Sequence, residues 1–310
     1  MILIQAIPPM SLSNNTHTHT HSPISNPQNP NVSCHIPMTA VSVVVPMYQE
    51  SENVSLLLNE IVAALSSEEL LALGLKKFEI IVVDDASRDD TLEQLILFKQ
   101  IQTQAKTNTN TNIHLNLTGL ISSEIRIVKH LANGGQSRAV ISGVRHAKYD
   151  WIVTLDGDGQ NDPKDIKNLM QAVKNTEDWI LVAGHRATRK DSGLKKISSK
   201  IANSVRGFLL KDDCPDTGCG LKLFPKKLFM ALPKFKNMHR FLPALAKREG
   251  AKIINIKISH RERTRGVSKY GVMNRLFVGI VDLLGVMWLV RRPSKIESIE
   301  LNNQNLAEVE

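Results

Sequence analysis

Along this chain, short unbroken apolar runs alternate with stretches in which apolar residues recur every third or fourth position. Val41-Ser42-Val43-Val44-Val45-Pro46 is a β-branched run and predicts a buried strand ended by proline. Ser51 stands as a helix N-cap ahead of Leu56, Leu57, Ile61 and Leu65 at helical spacing. Phe78 to Val83 predicts a second strand, followed by a helix through Gln102, and Ile125 to Lys129 predicts a third. Gly134 and Gly135 introduce a helix that runs to about Ala147. Trp151 to Leu155 predicts a fourth strand; a helix over 163–174 opens at Pro163, whose missing N–H costs nothing at that position. Trp179 to Ala183 predicts a fifth strand. This alternation is the signature of an α/β fold, a mostly parallel sheet with helices on both faces.

Beyond Arg186 the pattern changes. Lys195 to Lys211 predicts a basic amphipathic helix, Gly220 to Phe224 a short strand, and Met238 to Gly250 a helix with a C-terminal glycine cap. Lys252 to Ile258 alternates apolar and polar residues, as a half-exposed strand does, and Arg261 to Tyr270 reads as a basic loop. Leu276 to Val290 is the most apolar helical stretch, about 22 Å long at 1.5 Å per residue, short of a hydrocarbon core of about 30 Å. Asp282 sits in its middle, and Arg275, Gly279, Asp282 and Gly285 share one face. Two readings of it stand: a helix packed on the core or on a subunit, and a helix lying in a membrane interface, anchored by Trp288, Arg291 and Arg292. The expected organisation is a disordered tail over 1–38, a catalytic domain over 39–270 with a loop insertion at 103–123, a C-terminal helix over 271–292 and a flexible tail over 293–310. Met38 stands just before the first strand, so residues 1–37 are expected to be dispensable, with Met38 as an alternative start.

The 310 residues carry a net charge of +9, with acids gathered near residue 156 and bases concentrated between Arg186 and Arg292. Such a field suits an anionic partner. Aromatic residues make up only 5%, which argues against a base-stacking platform and so against nucleic acid. Cys34, Cys214 and Cys219 make neither a disulfide framework nor a zinc site, and read as thiols in a reducing cytosol. The first ten residues lack the basic start of a secretory signal, and the His-Thr repeat at 16–21 reads as low-complexity tail.

The stretch with the clearest chemistry is Asp156-Gly157-Asp158-Gly159-Gln160, directly after the fourth strand. The glycines permit a tight turn and a close ligand approach. Acids there stand at the carboxyl end of a strand, where open α/β sheets bind ligands. Two carboxylates and an amide oxygen at every second residue suit a hard cation, Mg²⁺ or Mn²⁺, whose shell is completed by substrate phosphates and water.

Five segments in order complete the pattern: Val-Pro-Met-Tyr-Gln-Glu (45–50), Val-Asp-Asp-Ala-Ser-Arg-Asp-Asp-Thr (83–91), Asn-Gly-Gly-Gln-Ser-Arg-Ala (133–139), Asp-Gly-Asp-Gly-Gln-Asn-Asp-Pro (156–163) and Arg-Gly-Val-Ser-Lys-Tyr (265–270). Over roughly residues 40 to 292 the chain resembles family 2 glycosyltransferases, and within them the dolichol-phosphate mannose synthase branch, whose bacterial members use polyprenyl phosphate. The resemblance implies the A-type glycosyltransferase fold, a divalent metal and a GDP- or UDP-linked sugar donor, with mannose or a related hexose inverted on transfer. It implies that Pro46, Tyr48 and Glu50 wall the nucleoside, and that Asp84 or Asp85 accepts hydrogen bonds from the base or ribose. For acids in that segment helix capping, served by Ser87 and Asp89, is the competing reading. By the same resemblance Asp158 and Gln160 hold the metal, and Asp156 the donor ribose or sugar. Arg186, Lys195, Ser199 and Arg263 bind the acceptor phosphate, with Lys269 beside them; Asp156, Asp158 and Arg263 are thus the expected catalytic set. At Glu262 the chain departs from the family, where a proline is expected, which leaves the shape of that loop open. The implied protein is a peripheral enzyme on the cytoplasmic face of the cell membrane, serving the cell envelope. Transfer to a carbohydrate hydroxyl, and a non-catalytic sugar-nucleotide or lipid-binding subunit, are the competing functions.

Overall fold

The computed structural model describes residues 38–107, 122–173, 179–186, 206–262 and 272–292. β1 (Ala40–Met47) leads through a 3₁₀ turn (Ser51–Asn53) into α1 (Val54–Leu65) and α2 (Glu68–Ala72). Then come β2 (Lys77–Asp84), α3 (Thr91–Thr107), β3 (Ser122–Lys129), α4 (Gln136–His146) and β4 (Trp151–Thr154). A 3₁₀ turn (Pro163–Asp165) opens α5 (Ile166–Val173), followed by β5 (Ile180–Arg186). β6 (Lys222–Pro225), α6 (Lys226–Ala231), a 3₁₀ turn (Met238–Arg240), α7 (Leu242–Arg248), β7 (Lys252–Ile258) and α8 (Val272–Val290) complete the chain.

The seven strands form one sheet in the order β3-β2-β1-β4-β6-β5-β7. Every pairing is parallel except those of β6, which runs antiparallel to both β4 and β5. From β1 the chain winds outward through β2 and β3, then returns to place β4 on the other side of β1. The gap between the carboxyl ends of β1 and β4 is therefore the topological switch point, the crevice where such sheets bind ligands. The period of two along each strand divides the core. Val41, Val43, Val45 and Met47 face α1, α3 and α5 through Leu57, Ile61, Leu95 and Leu169. Val44, Ile81 and Ile152 face α4, α6, α7 and α8 through Val140, Phe229, Leu245 and Val286.

One buried charge ties the sheet to the turn before β4. Glu79 on β2 is fully buried, and its carboxylate accepts the Ser42 hydroxyl at 2.6 Å, Arg126 Nη1 at 2.8 Å and the Lys148 amide at 2.5 Å. A carboxylate removed from water in this way is stable only because every side of it is hydrogen-bonded.

Several expected boundaries move. α1 begins at Val54 rather than after Ser51, which lies in the 3₁₀ turn and donates its amide to Asp89 at 3.5 Å. α3 continues to Thr107, and β3 already begins at Ser122, so the expected loop is shorter at both ends than 103–123. The single helix expected over 238–250 splits: left-handed Asn237 enters a 3₁₀ turn, and Pro243 sits in the first turn of α7. Its glycine cap is present, with Gly250 at φ +87° and its amide on Lys247 O. Of the basic helix expected at 195–211, residues 206–210 are helical and Lys211, at φ +49°, follows the helix; 195–205 lie outside the described residues, as do 1–37, 293–310 and the Arg-Gly-Val-Ser-Lys-Tyr segment.

Candidate functional site

The loops after β1 and β2 are stitched together at the switch point. The Met47 carbonyl accepts the Asp85 amide at 2.9 Å, the Gln49 amide donates to Ser87 Oγ at 2.9 Å, and the Glu50 amide donates to Thr91 Oγ1 at 2.9 Å. Gln49 and Ala86 adopt positive φ, +54° and +57°, a backbone cost that concentrates at ligand sites. Asp89 accepts both the amide and the hydroxyl of Thr91 and so braces the first residue of α3. Burial raises its pKa, but those bonds and the Ser51 amide outweigh burial and hold it below the usual carboxylate range. Pro46 lies inside β1, Tyr48 and Glu50 follow it half-buried, and Glu50 Oε2 accepts Asn53 Nδ2 at 2.7 Å.

The two acids expected to meet the nucleotide are not equivalent. Asp84 is buried at the end of β2 and accepts the Ser87 amide at 3.3 Å. Asp85 is already engaged: it accepts the amides of Gly134 and Gly135 at 2.8 and 2.7 Å, and His130 Nδ1 lies 2.6 Å away. Its carboxylate thereby anchors the chain entering α4, whose N-terminus favours negative charge. Of the pair, Asp85 is thus chiefly a scaffold for the loop 130–135.

The acidic turn leaves β4 as the sequence predicts. Gly157 packs so closely on β1 that a Cβ would lie 2.7 Å from the Pro46 carbonyl, and Gly159 takes φ +71°. Asp158 and Gln160 are half-buried, and Asp158 Oδ1 accepts the Gln160 amide at 3.2 Å. Asp156 Oδ1 accepts Gln136 Nε2 at 2.7 Å, and its carboxyl carbon lies 2.2 Å from where a Cβ on Gly220 would stand. Gly220 is itself held, since Thr154 Oγ1 donates to its carbonyl at 2.7 Å. The donor set of carboxylate and amide oxygens suits Mg²⁺ or Mn²⁺. Among the described residues no three His, Cys, Asp or Glu side chains form a group that could hold a metal ion.

Two basic elements border the turn. Arg186 ends β5, and its Nε and Nη2 grip Asp216 at 2.7 and 2.9 Å. Burial disfavours its charge, but Asp216 more than compensates and its pKa is raised. It therefore enters the site as a fixed cation with Nη1 turned to neither Asp216 oxygen. The segment after β7 lies directly on the turn. The Ser259 amide donates to Asp165 at 2.8 Å, His260 bridges to Asn161, and the Arg261 amide donates to Gln160 O at 3.0 Å. The Arg261 side chain spans Glu60, at 2.9 and 2.8 Å, and Asp162, at 2.7 Å. Lys195, Ser199, Arg263 and Lys269 lie outside the described residues.

Sequence reasoning overlooked several residues here. Gln136 orients Asp156, Asp216 orients Arg186, and buried Arg206 organises the loop 212–217 through Asp212 at 2.9 Å and the Cys214 carbonyl at 2.6 Å. Lys222, buried on β6, donates to the carbonyls of Thr217 and Cys219. Cys214 and Cys219 are buried free thiols; burial pushes the Cys219 thiol up to about 11, so neither is a thiolate nucleophile. In α8, Val286 is buried while Ile280, Val281, Leu284 and Trp288 are exposed, and Arg292 stacks on Trp288 at 5.2 Å. Asn237 Nδ2 donates to Asp282 at 2.9 Å, so the polar position inside the helix faces the protein. One face of this helix thus packs on the protein, and the other is exposed and apolar. Among the described residues no helix is long and apolar enough to cross a membrane.

Residues 42–232 match the family described as Glycosyl transferase family 2. The chain is 34% identical over 254 residues to a dodecaprenyl-phosphate galacturonate synthase of Rhizobium johnstonii, covering 81% of this chain and 67% of that protein. It is 32% identical over 233 residues to an undecaprenyl-phosphate 4-deoxy-4-formamido-L-arabinose transferase of Edwardsiella ictaluri, covering 75% of this chain and 63% of that one. The chain thus spans about two thirds of the length of these relatives. Among solved structures, a Pyrobaculum calidifontis mannosyltransferase in complex with GDP-Man and Mn²⁺ superposes with a TM-score of 0.52 at 17% identity, over 87% of this chain and 70% of that one. Glucosyl-3-phosphoglycerate synthase of Mycobacterium tuberculosis, with Mn²⁺, UDP and glucosyl-3-phosphoglycerate, does so with a TM-score of 0.51 at 16% identity, over 84% and 82%. These two similarities establish the shared fold.

Proposed function

Because the chain belongs to glycosyl transferase family 2, we propose that it moves a glycosyl group from a nucleotide-diphosphate sugar to polyprenyl phosphate. The observation that carries this reading is the docking of residues 259–261 on the acidic turn, which sets Arg261 against Gln160 and Asp162 at the edge of the proposed diphosphate site. The relatives named above, both polyprenyl-phosphate sugar enzymes, support the same acceptor. Their names give galacturonate and 4-deoxy-4-formamido-L-arabinose where the motif resemblance implies mannose, so the sugar is taken here as a pyranose of that range.

In this reading the nucleoside lies at the switch point against Pro46, Tyr48, Glu50 and Asp84, while Asp85 holds the loop beneath it. Asp156, oriented by Gln136, accepts a hydroxyl of the donor ribose or sugar. Asp158 and Gln160 would hold Mg²⁺ or Mn²⁺; two structural neighbours are in complex with Mn²⁺. When bound, the ion supplies Lewis-acid neutralisation of the leaving diphosphate. The acceptor is a phosphate monoester with a second pKa of about 6, hence largely dianionic at neutral pH. Its oxygen bonds to the anomeric carbon from the face opposite the breaking C–O bond, and the nucleoside diphosphate departs with that electron pair. No general base is required, unlike transfer to a sugar hydroxyl. Arg186, Lys195, Ser199, Arg263 and Lys269 are the proposed acceptor-phosphate ligands, and their work is positioning. The exposed apolar face of α8, with Arg291 and Arg292 at its end, suits a peripheral seat on the inner face of the cell membrane.

The test uses the full chain with labelled GDP-mannose, UDP-glucose and UDP-galacturonic acid. The acceptors are short-chain polyprenyl phosphate, the matching alcohol and a free oligosaccharide. Transfer to the phosphate alone, lost in excess chelator and in Asp158→Ala, is expected. Transfer to the oligosaccharide but not to polyprenyl phosphate overturns the assignment, and undiminished activity in chelator overturns the role of the metal.

A further inference from the structure

Two consecutive residues open α4, and each hydrogen-bonds a residue that lines one cavity. Gln136 donates to Asp156, and Ser137 Oγ lies 2.7 Å from His239 Nδ1. The residues that line the cavity include Pro46, Gln136, Asp156, Thr217, Lys222 and His239. Ser137 is buried, and its oxygen already accepts the backbone amide of His239 at 3.1 Å. Its hydroxyl proton has no other acceptor among the described residues, so it is directed to Nδ1. Nδ1 then accepts, and the ring carries its proton on Nε2. Burial, with the cations of Arg240 and Lys222 nearby, pushes the His239 pKa down to about 3, which keeps the imidazole neutral at physiological pH. Nε2 has no hydrogen-bond partner among the described residues.

We propose that His239 is a donor-sugar-binding residue, whose Nε2–H, held in that tautomer by Ser137, donates to a hydroxyl of the transferred sugar beside Asp156. The inference rests on the glycosyl transfer proposed above and adds to it the residue that recognises the sugar. The chemistry is complementary: Asp156 only accepts and His239 in this tautomer only donates at Nε2, so neighbouring hydroxyls, each able to do both, satisfy the two side chains together. Ser137 acts through His239 and is a positioning residue.

Calorimetric titration of the full chain with Mn²⁺ present tests this, comparing GDP-mannose with GDP and UDP-galacturonic acid with UDP. The sugar-linked form that the wild type prefers over its bare nucleotide defines the reference. His239→Phe is expected to weaken that form about tenfold and leave the bare nucleotide unchanged, the size of one lost hydrogen bond. His239→Gln, which keeps a donor, should recover much of the loss, and Ser137→Ala should fall between. Equal affinity of wild type and His239→Phe for the sugar nucleotide overturns the inference alone. So does an equal loss for both ligands across His239→Phe and His239→Gln, which marks a structural role. A wild type that binds none of the four ligands refutes the proposed function and this inference with it.

Discussion

Substituting Gly220→Ala tests how tightly the site is built around Asp156. The added Cβ would stand 2.2 Å from the Asp156 carboxyl carbon and 2.3 Å from each oxygen. Ordinary contact begins near 3.4 Å, so the two groups must part by about 1.2 Å. Gly220 cannot supply that movement cheaply, because its carbonyl accepts Thr154 Oγ1 at 2.7 Å and the next residues pair with β4. The carboxylate therefore moves, and the 2.7 Å bond from Gln136 lengthens beyond hydrogen-bond range. A misplacement of about 1 Å at a reacting centre costs about 100-fold in rate. Overpacking of this kind costs about 1–3 kcal/mol in stability. Steady-state transfer from the best nucleotide sugar should show kcat/KM reduced about 100-fold, with a thermal unfolding midpoint lower by only a few degrees. Gly220→Ala with wild-type kcat/KM would refute the claim that Asp156 must stay where Gln136 and Gly220 hold it.

Other consequences are as direct. Arg261→Ala removes the clamp between Glu60 and Asp162; metal affinity measured by activity titration should fall about tenfold, and Arg261→Lys should restore little, because a lysine cannot reach both carboxylates as a fork. Glu79→Ala strips a buried carboxylate from Arg126, Ser42 and the Lys148 amide, and should destabilise the fold by about 3–5 kcal/mol in urea unfolding, while Asp158→Ala leaves stability within about 1 kcal/mol. Because the His239 pKa is depressed to about 3, the unfolded chain binds a proton that the native one refuses; stability should fall as pH drops from about 6.5 towards 3, by up to about 1.4 kcal/mol per unit. His239→Gln should remove that share of the slope, and an unchanged slope would count against a desolvated neutral imidazole.

The parts of this molecule legible in its sequence are those set by neighbours along the chain. Val43-Val44-Val45 and Ile80-Ile81-Val82 announce strands buried on both faces, and the turn after Leu155 announces its position at a strand end. The direction of β6 was not legible, because Leu221-Lys222-Leu223-Phe224 packs equally well either way and its antiparallel course is decided by β4 and β5. α3 outruns its apolar pattern because Gln102, Gln104, Ala105 and Lys106 favour helix without any need for burial. Asp85 shows the limit for site residues. Its place in the motif suggests a ligand contact, but what its oxygens accept is settled by Gly134 and Gly135, about fifty positions away. His239 carries no local signal at all, since the hydroxyl that fixes it lies 102 residues earlier.

The reversed strand has an evolutionary corollary. β5 arrives at the rim of the acidic turn and ends there at Arg186, and β6, running the other way, departs from that same rim at Lys222. The chain thus leaves β5 and enters β6 on one side of the proposed ligand site, where Asp212, Asp216 and Gly220 are fixed against Arg206, Arg186 and Asp156. Acceptor or sugar preference can thereby change through residues of this excursion that make none of those contacts, with the strand order of the sheet untouched. For the engineer, the same excursion is the place to graft in a different specificity, with the sheet left as it stands.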